Sequence, residues 1–295
     1  MTEARTQLDF GWLRDLPSIS DYNAETEQVK SLLSRVGVNG TLGAPPSLPA
    51  TIDLRPWFSQ VEDQKSLGSC TANAGIGLLE YYERRAFGRH LDASRLFLYK
   101  ATRNLMRVTG DTGAYLRTTM GALVLFGAPP EQYWPYDITK FDVEPSPFLY
   151  SFGANFKALS YYRLDPAGTT PANLLASIKA NLAAGLPSFF GFTVYNSYTQ
   201  ASVANHGAIP FPSAGDRIVG GHAVVVAGYN DALTIRNTAP GSAATTGAFM
   251  IRNSWGTTWG DGGYGWLPYD YVLRGLATDW WSLISASYVE TGKFG

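Results

Sequence analysis

Residues 64–74 read Gln64-Lys65-Ser66-Leu67-Gly68-Ser69-Cys70-Thr71-Ala72-Asn73-Ala74 and hold the single cysteine of a 295-residue chain. A free cysteine ordinarily behaves as a small buried hydrophobe, so its surroundings decide between filler and nucleophile. Downstream, Ala72, Ile76, Leu79 and Ala86 recur at helical spacing, and Gly88 is placed to close the helix. Cys70 therefore stands in the first turn of a predicted helix, where unpaired amide N–H groups and the helix dipole stabilise a thiolate. Gly68 lets another backbone come close. Gln64 carries an amide donor able to reach the same cavity.

A thiolate nucleophile wants an imidazole partner, and the chain offers His90, His206 and His222. His90 follows the predicted helix end and reads as a surface or capping residue. His206 lies in a Gly/Ser/Pro-rich loop. His222 opens Gly220-Gly221-His222-Ala223-Val224-Val225-Val226-Ala227-Gly228-Tyr229, the mouth of a buried strand, reachable past two glycines. Further on, Asn253-Ser254-Trp255-Gly256 follows another strand pattern, with Trp259 and Tyr264 beyond it. An Asn oxygen can hold an imidazole N–H in place, and an indole over that bond excludes water and strengthens it. Trp259 reads as packing.

Composition narrows the alternatives. Hydrophobic residues make up 45% of the chain, enough for a sizeable core, and a net charge of −1 gives no electrostatic footprint for nucleic acid or an anionic membrane. No apolar run approaches the ~18 residues of a membrane span. One cysteine excludes an intramolecular disulfide and leans toward a reducing compartment. The opening Met1-Thr2-Glu3-Ala4-Arg5 lacks the pattern of a secretory signal. Three scattered histidines and one cysteine offer no zinc-ligand spacing, so no cofactor or metal is expected.

The chain divides into three expected parts: residues 1–48 as an N-terminal segment and linker, 49–155 as a helical lobe carrying Cys70, and 156–295 as a β-rich lobe carrying His222 and Asn253. In the first, Val29, Leu32, Leu33 and Val36 predict a short helix over Glu25–Arg35, and three Gly and three Pro between Gly37 and Pro49 predict a linker. Further helices are expected near 93–106 and 115–126, and one from Pro171 to Ala184, with Thr170 as N-cap and Gly185 after the end. Strands are expected at 155–164, 188–195, 222–229, 248–253 and 263–267. Helices first and strands later give an α+β chain with a site between the lobes.

Together, Gln64 with Cys70, His222 with its apolar strand, and Asn253-Ser254-Trp255-Gly256 followed by Trp259-Gly260 and Tyr264 resemble the papain-like cysteine peptidases, in the same chain order, over about Asp53 to Tyr271. Gly68-Ser69-Cys70-Thr71-Ala72-Asn73-Ala74 resembles a bacterial branch, and Phe10-Gly11-Trp12-Leu13-Arg14-Asp15-Leu16-Pro17 its short pro-segments. Leu67 replaces a disulfide cysteine of many relatives and Thr71 a tryptophan. His222 and Asn253 also lie farther along than the usual about 130–150 residues from the nucleophile, which implies inserted loops within 196–220 and 231–247.

The resemblance implies a two-lobe fold, a helical lobe facing a β-barrel-like one, and hydrolysis of peptide or protein substrates. Cys70 would attack, His222 would exchange the proton, Asn253 would orient His222 under Trp255, and Gln64 would complete the oxyanion hole. Substrate would contact Asp111, Gly113 and Ala114 on one side, and Phe190, Gly191, Phe192 and Gly221 on the other. Residues 1–48 would either act as the chain's own inhibitor over the cleft or pack on the body as a fixed extension. The same residues would serve an amidase, a transferase or an exopeptidase, and a silent binding protein is the reading from another class.

Overall fold

Residues 10–38, 47–156 and 160–295 are described in this computed structural model. Residues 1–9 and 39–46, within the expected N-terminal segment and linker, and 157–159, within an expected strand, lie outside the described residues. The first elements are a two-residue strand, Trp12–Leu13 (β1), and the helix Glu27–Arg35 (α1), which buries Val29 and Leu33 one turn apart. Thr51–Asp53 (β2) then leads to the long helix Cys70–Phe87 (α2).

Fourteen residues of α2 are buried, so it is wrapped on nearly all sides and has no solvent face of the kind a surface helix shows. Burying side chains such as Ile76 and Leu78 stabilises by roughly 1.5–3 kcal/mol each. Gly77 is small of necessity, because a Cβ there would collide with the Arg252 guanidinium. Gly88 ends the helix in the left-handed region, at φ 73°. Arg95–Met106 (α3), Ala114–Tyr115 (β3) and Leu116–Leu125 (α4) follow, then Pro147–Gly153 (α5). Ser94 caps α3 by accepting the Phe97 N–H at 3.1 Å.

The second half supplies Tyr161–Arg163 (β4), Pro171–Ala183 (α6), Ser188–Tyr195 (β5), Ile218–Arg236 (β6), Ala244–Arg252 (β7) and Tyr264–Pro268 (β8). It closes with Asp270–Leu273 (α7), Ala277–Leu283 (β9) and Ala286–Val289 (α8). The Thr170 hydroxyl accepts the Asn173 N–H at 3.2 Å and Pro171 occupies the first turn, as the sequence predicts. The sheet runs β4-β9-β5-β6-β7-β8, with β2 paired to β6.

Among the described residues the sheet is an open path with β4 and β8 at its ends, consistent with a barrel-like lobe that does not close. Two expectations change. Of the strand expected over 155–164, the described residues show Tyr161–Arg163, and Pro147–Gly153 before it is helical. Residues 231–247 are mostly no loop: β6 and β7 continue outward as a hairpin, pairing Thr234 with Thr246 and Arg236 with Ala244. The two halves also interlock. Tyr81 and Tyr82 of α2 donate to the Gly185 and Pro187 carbonyls, and Tyr82 stacks on Tyr288 of α8.

Candidate active site

The first turn of α2 sets Cys70 fully buried, with Ser69 at the N-cap. Backbone N–H groups of Ala223, Gly11, Thr71 and Cys70 itself favour the thiolate electrostatically, against its burial. Ala223 adjoins His222 on β6. Pairing of Val225 with Arg252 sets β6 against β7, and Asn253 follows directly on that last paired residue.

Asn253 and Trp255 form a cage around the His222 imidazole. His222 and Asn253 are joined by a 2.8 Å hydrogen bond between Nε2 and Oδ1. Since the amide oxygen can only accept, the ring must donate from Nε2, which leaves Nδ1 as the free acceptor in a neutral ring. Nδ1 is buried without a hydrogen-bond partner among the described residues. The Trp255 indole stacks on the ring at 4.8 Å between centroids and 22° between planes, and Trp259 meets Trp255 edge-on.

Gln64 is also fully buried. Its Nε2 donates to the Leu67 carbonyl at 2.9 Å, and its Oε1 accepts from the Ser254 hydroxyl at 2.5 Å. The loop before Cys70 is thereby tied to the residue after Asn253. Ser254 was not anticipated; its place beside Asn253 is the only hint the sequence holds.

Residues 10–13 lie over this centre. Phe10 packs edge-on against His222, Trp255 and Tyr198. The Gly11 carbonyl accepts from the Ala114 N–H at 2.8 Å, where β1 pairs parallel with β3. A Cβ on Gly11 would collide with the Gly68 carbonyl, and one on Gly113 with that of Gly11. Gly191 and Gly221 face the Trp12 ring in the same way. Asp111 stands beside them with its carboxylate engaged, accepting from the Gly68 N–H and the Tyr99 hydroxyl.

Phe190 and Phe192, also expected to contact substrate, face away from Gly191 and Trp12, because alternate residues of a strand point opposite ways. Phe190 stacks on Trp280 at 3.8 Å, away from Gly191 and Trp12, and Phe192 meets His222 and Tyr271 edge-on. Both are fully buried. His90 is half-buried and His206 exposed, outside the cage. The segment beyond β1 is anchored by Arg117, which donates to Asp15, to Asp21 at 2.7 Å and to the Leu16 carbonyl at 2.6 Å.

Enclosure has an electrostatic consequence. Burial pushes the Cys70 thiol up to about 11, against the lowering pull of the surrounding N–H groups. Burial drives His222 down to about 4, with the Asn253 bond acting the other way. Burial thus favours the neutral form of both the Cys70 thiol and the His222 imidazole beneath residues 10–13. Elsewhere, Glu62, Asp92 and Glu131 gather their oxygens within 4.8 Å, but Arg95 already pairs with Glu62 at 3.0 Å and Glu131 at 2.9 Å.

Residues 48–278 match the model of the papain family of cysteine proteases. The chain is similar to the crystal structure of xylellain, a cysteine protease from Xylella fastidiosa, at 32% identity and TM-score 0.72, covering 97% of this chain and 99% of that one. It is also 31% identical to an uncharacterized peptidase C1-like protein of Acanthamoeba polyphaga mimivirus, over 92% of this chain and 86% of that protein. Digestive procathepsin L 3 of Tenebrio molitor shares the fold, with TM-score 0.61 at 19% identity, covering 83% and 72% of the two chains. The chain belongs to the papain family of cysteine proteases, hydrolases of peptide bonds.

Proposed function

We propose that this peptidase is an endopeptidase in which Cys70 is the nucleophile, His222 the proton carrier, Asn253 its orienting partner and Gln64 an oxyanion donor, held latent by its own N-terminal segment. The Cys70 sulfur attacks the scissile carbonyl carbon as its proton passes to His222 Nδ1. The C–N bond then breaks, with that proton delivered to the leaving amine. Water, deprotonated by His222, releases the acyl group and restores the thiol. The Cys70 N–H and the Gln64 amide would stabilise the oxyanion.

One observation carries the reading: the imidazole is held by Asn253 under the Trp255 indole, and its other ring nitrogen is buried without a hydrogen-bond partner among the described residues. Latency is supported by Phe10, Gly11 and Trp12, which occupy the space a substrate backbone and its side chains need. The 1–48, 49–155 and 156–295 division fits this reading, with the linker as the cutting site. The test is labelling of Cys70 by an epoxysuccinyl reagent, with peptide digests, before and after cleavage within 39–46. Fast labelling and internal cuts only after processing, both abolished by His222→Ala, are expected. Slow labelling at an ordinary thiol rate in the processed form would refute the reading, and terminal trimming alone would refute endopeptidase action.

A further inference from the structure

Trp12 is 8% exposed, and its indole fits against Gly191 of β5 and Gly221 of β6, where any Cβ would overlap the ring. At the far edge the indole Nε1 donates to Asp279 Oδ2 at 3.2 Å. Asp279 is a costly residue to keep there. It is fully buried and lies at φ 64°, a left-handed conformation that residues with a Cβ avoid. The strain arises from a bulge: Phe189 pairs with Trp281 but Gly191 with Thr278, so β9 carries one extra residue. Bulges of this kind re-aim a side chain. The Asp165 carboxylate locks it by accepting the Asp279 and Trp280 N–H groups at 2.7 and 3.0 Å.

A pocket for any apolar side chain would need none of this, since a buried carboxylate is unfavourable without donors aimed at it. Asp279 Oδ1 already accepts from Trp281 Nε1 at 2.8 Å, and the buried Arg163 guanidinium stands 3.3 Å away. Its charge is thus compensated. A second cation would meet Arg163, whereas a neutral N–H donor finds an oriented oxygen. The pocket begins one residue from Gly11, which lies against Gly68 just before Cys70, and two from Phe10, whose ring meets His222.

We infer that, once residues 10–13 leave, the cavity filled by Trp12 receives a substrate side chain near the scissile bond and selects tryptophan, with Asp279 as the residue that reads its N–H. This rests on the peptidase reading above. The N-terminal segment then inhibits by presenting the side chain the pocket is built to take.

The test uses the full chain. Trp12→Ala vacates the pocket, and Gly11→Val, which clashes with Gly68, displaces the segment while leaving every pocket residue in place. On whichever variant folds by circular dichroism, peptides carrying Trp, 1-methyltryptophan, Phe, Leu or Arg at each position in turn are compared by kcat/KM. At one position Trp should exceed 1-methyltryptophan and Arg by about tenfold, the scale of a charge-assisted hydrogen bond, and Asp279→Asn should shrink that margin. A Cys70→Ala/Trp12→Ala chain should likewise bind indole about tenfold more tightly than 1-methylindole. Hydrolysis with no preference for Trp, or equal binding of the two indoles, overturns the pocket assignment and leaves the peptidase reading standing. No hydrolysis of any peptide by a variant shown by limited digestion to be open overturns that reading, and the assignment falls with it.

Discussion

The Gly11 carbonyl accepts the Ala114 N–H at 2.8 Å, and that contact brings the main chain of the N-terminal segment against the Gly68–Gly113 rim. The approach is possible because neither Gly11 nor Gly113 carries a Cβ. Gly11→Val should therefore open the full-length chain without proteolysis and raise peptide hydrolysis by about tenfold or more, if the displaced contacts amount to about 1.4 kcal/mol. A full-length Gly11→Val chain no more active than the parent would show that residues 10–13 do not limit access.

The anchor further along the segment gives an independent handle. Arg117 is partly exposed but grips Asp15, Asp21 and the Leu16 carbonyl together. Opposing Arg117 also holds the Asp21 carboxyl below its usual range, against the raising effect of burial. Arg117→Ala should make the segment more protease-sensitive and cause partial activity in the unprocessed chain, readable by limited digestion and a fluorogenic peptide. Unchanged digestion would mean that the segment is held mainly through Phe10 and Trp12.

Gln64 offers a test of the oxyanion assignment. Gln64→Ala should lower kcat by about 10²–10³ with little change in KM, the loss expected when one oxyanion donor is removed. Because Gln64 also ties Leu67 to Ser254, thermal unfolding must accompany the kinetics. A loss of stability with kcat intact would reassign Gln64 to structure alone.

Behind the site, Glu80 accepts from the Ser59 hydroxyl at 2.5 Å and the Ala93 N–H at 3.1 Å, while Arg252 donates to Ser59 at 3.2 Å. Burial raises Glu80 from 4.5 to about 7. A carboxyl raised on folding binds its proton more tightly in the native state, so stability falls as pH rises through that window. The contribution is on the order of 3 kcal/mol. His222, lowered to about 4, acts in the opposite direction over the same range, so the test is a difference: the urea midpoint of the parent should fall relative to that of Glu80→Gln from pH 4.5 to 7. Parallel pH profiles for the two proteins would exclude Glu80 as a source.

What the sequence made legible follows from how each feature is encoded. The α2 helix, the α6 cap and the β5 strand were readable because their signals are local: periodicity, Thr170-Pro171, and an apolar run ended at Tyr195. The pairing of His222 with Asn253 was readable because both residue types sit beside strands that predict adjacency. β9 was not, since Thr278-Asp279-Trp280-Trp281 has no clean alternation and its place between β4 and β5 depends on contacts remote in sequence. Asp279 was missed for the same reason: only the bulge aims it at Trp12. Phe190 was read toward substrate because its facing depends on register, which a single strand sequence leaves open.

The central claim is that Cys70 becomes a reactive thiolate when residues 10–13 leave and His222 is free to take up a proton. The most direct measurement is the rate of Cys70 alkylation by iodoacetamide against pH, in the full chain, in Gly11→Val and in Gly11→Val/His222→Ala. The full chain should react slowly, its rate rising toward the thiol pKa near 11. Gly11→Val should react fast on a plateau extending below pH 7, and His222→Ala should abolish that plateau. A Gly11→Val chain shown by digestion to be open, yet reacting as an ordinary thiol whether or not His222 is present, would contradict the account.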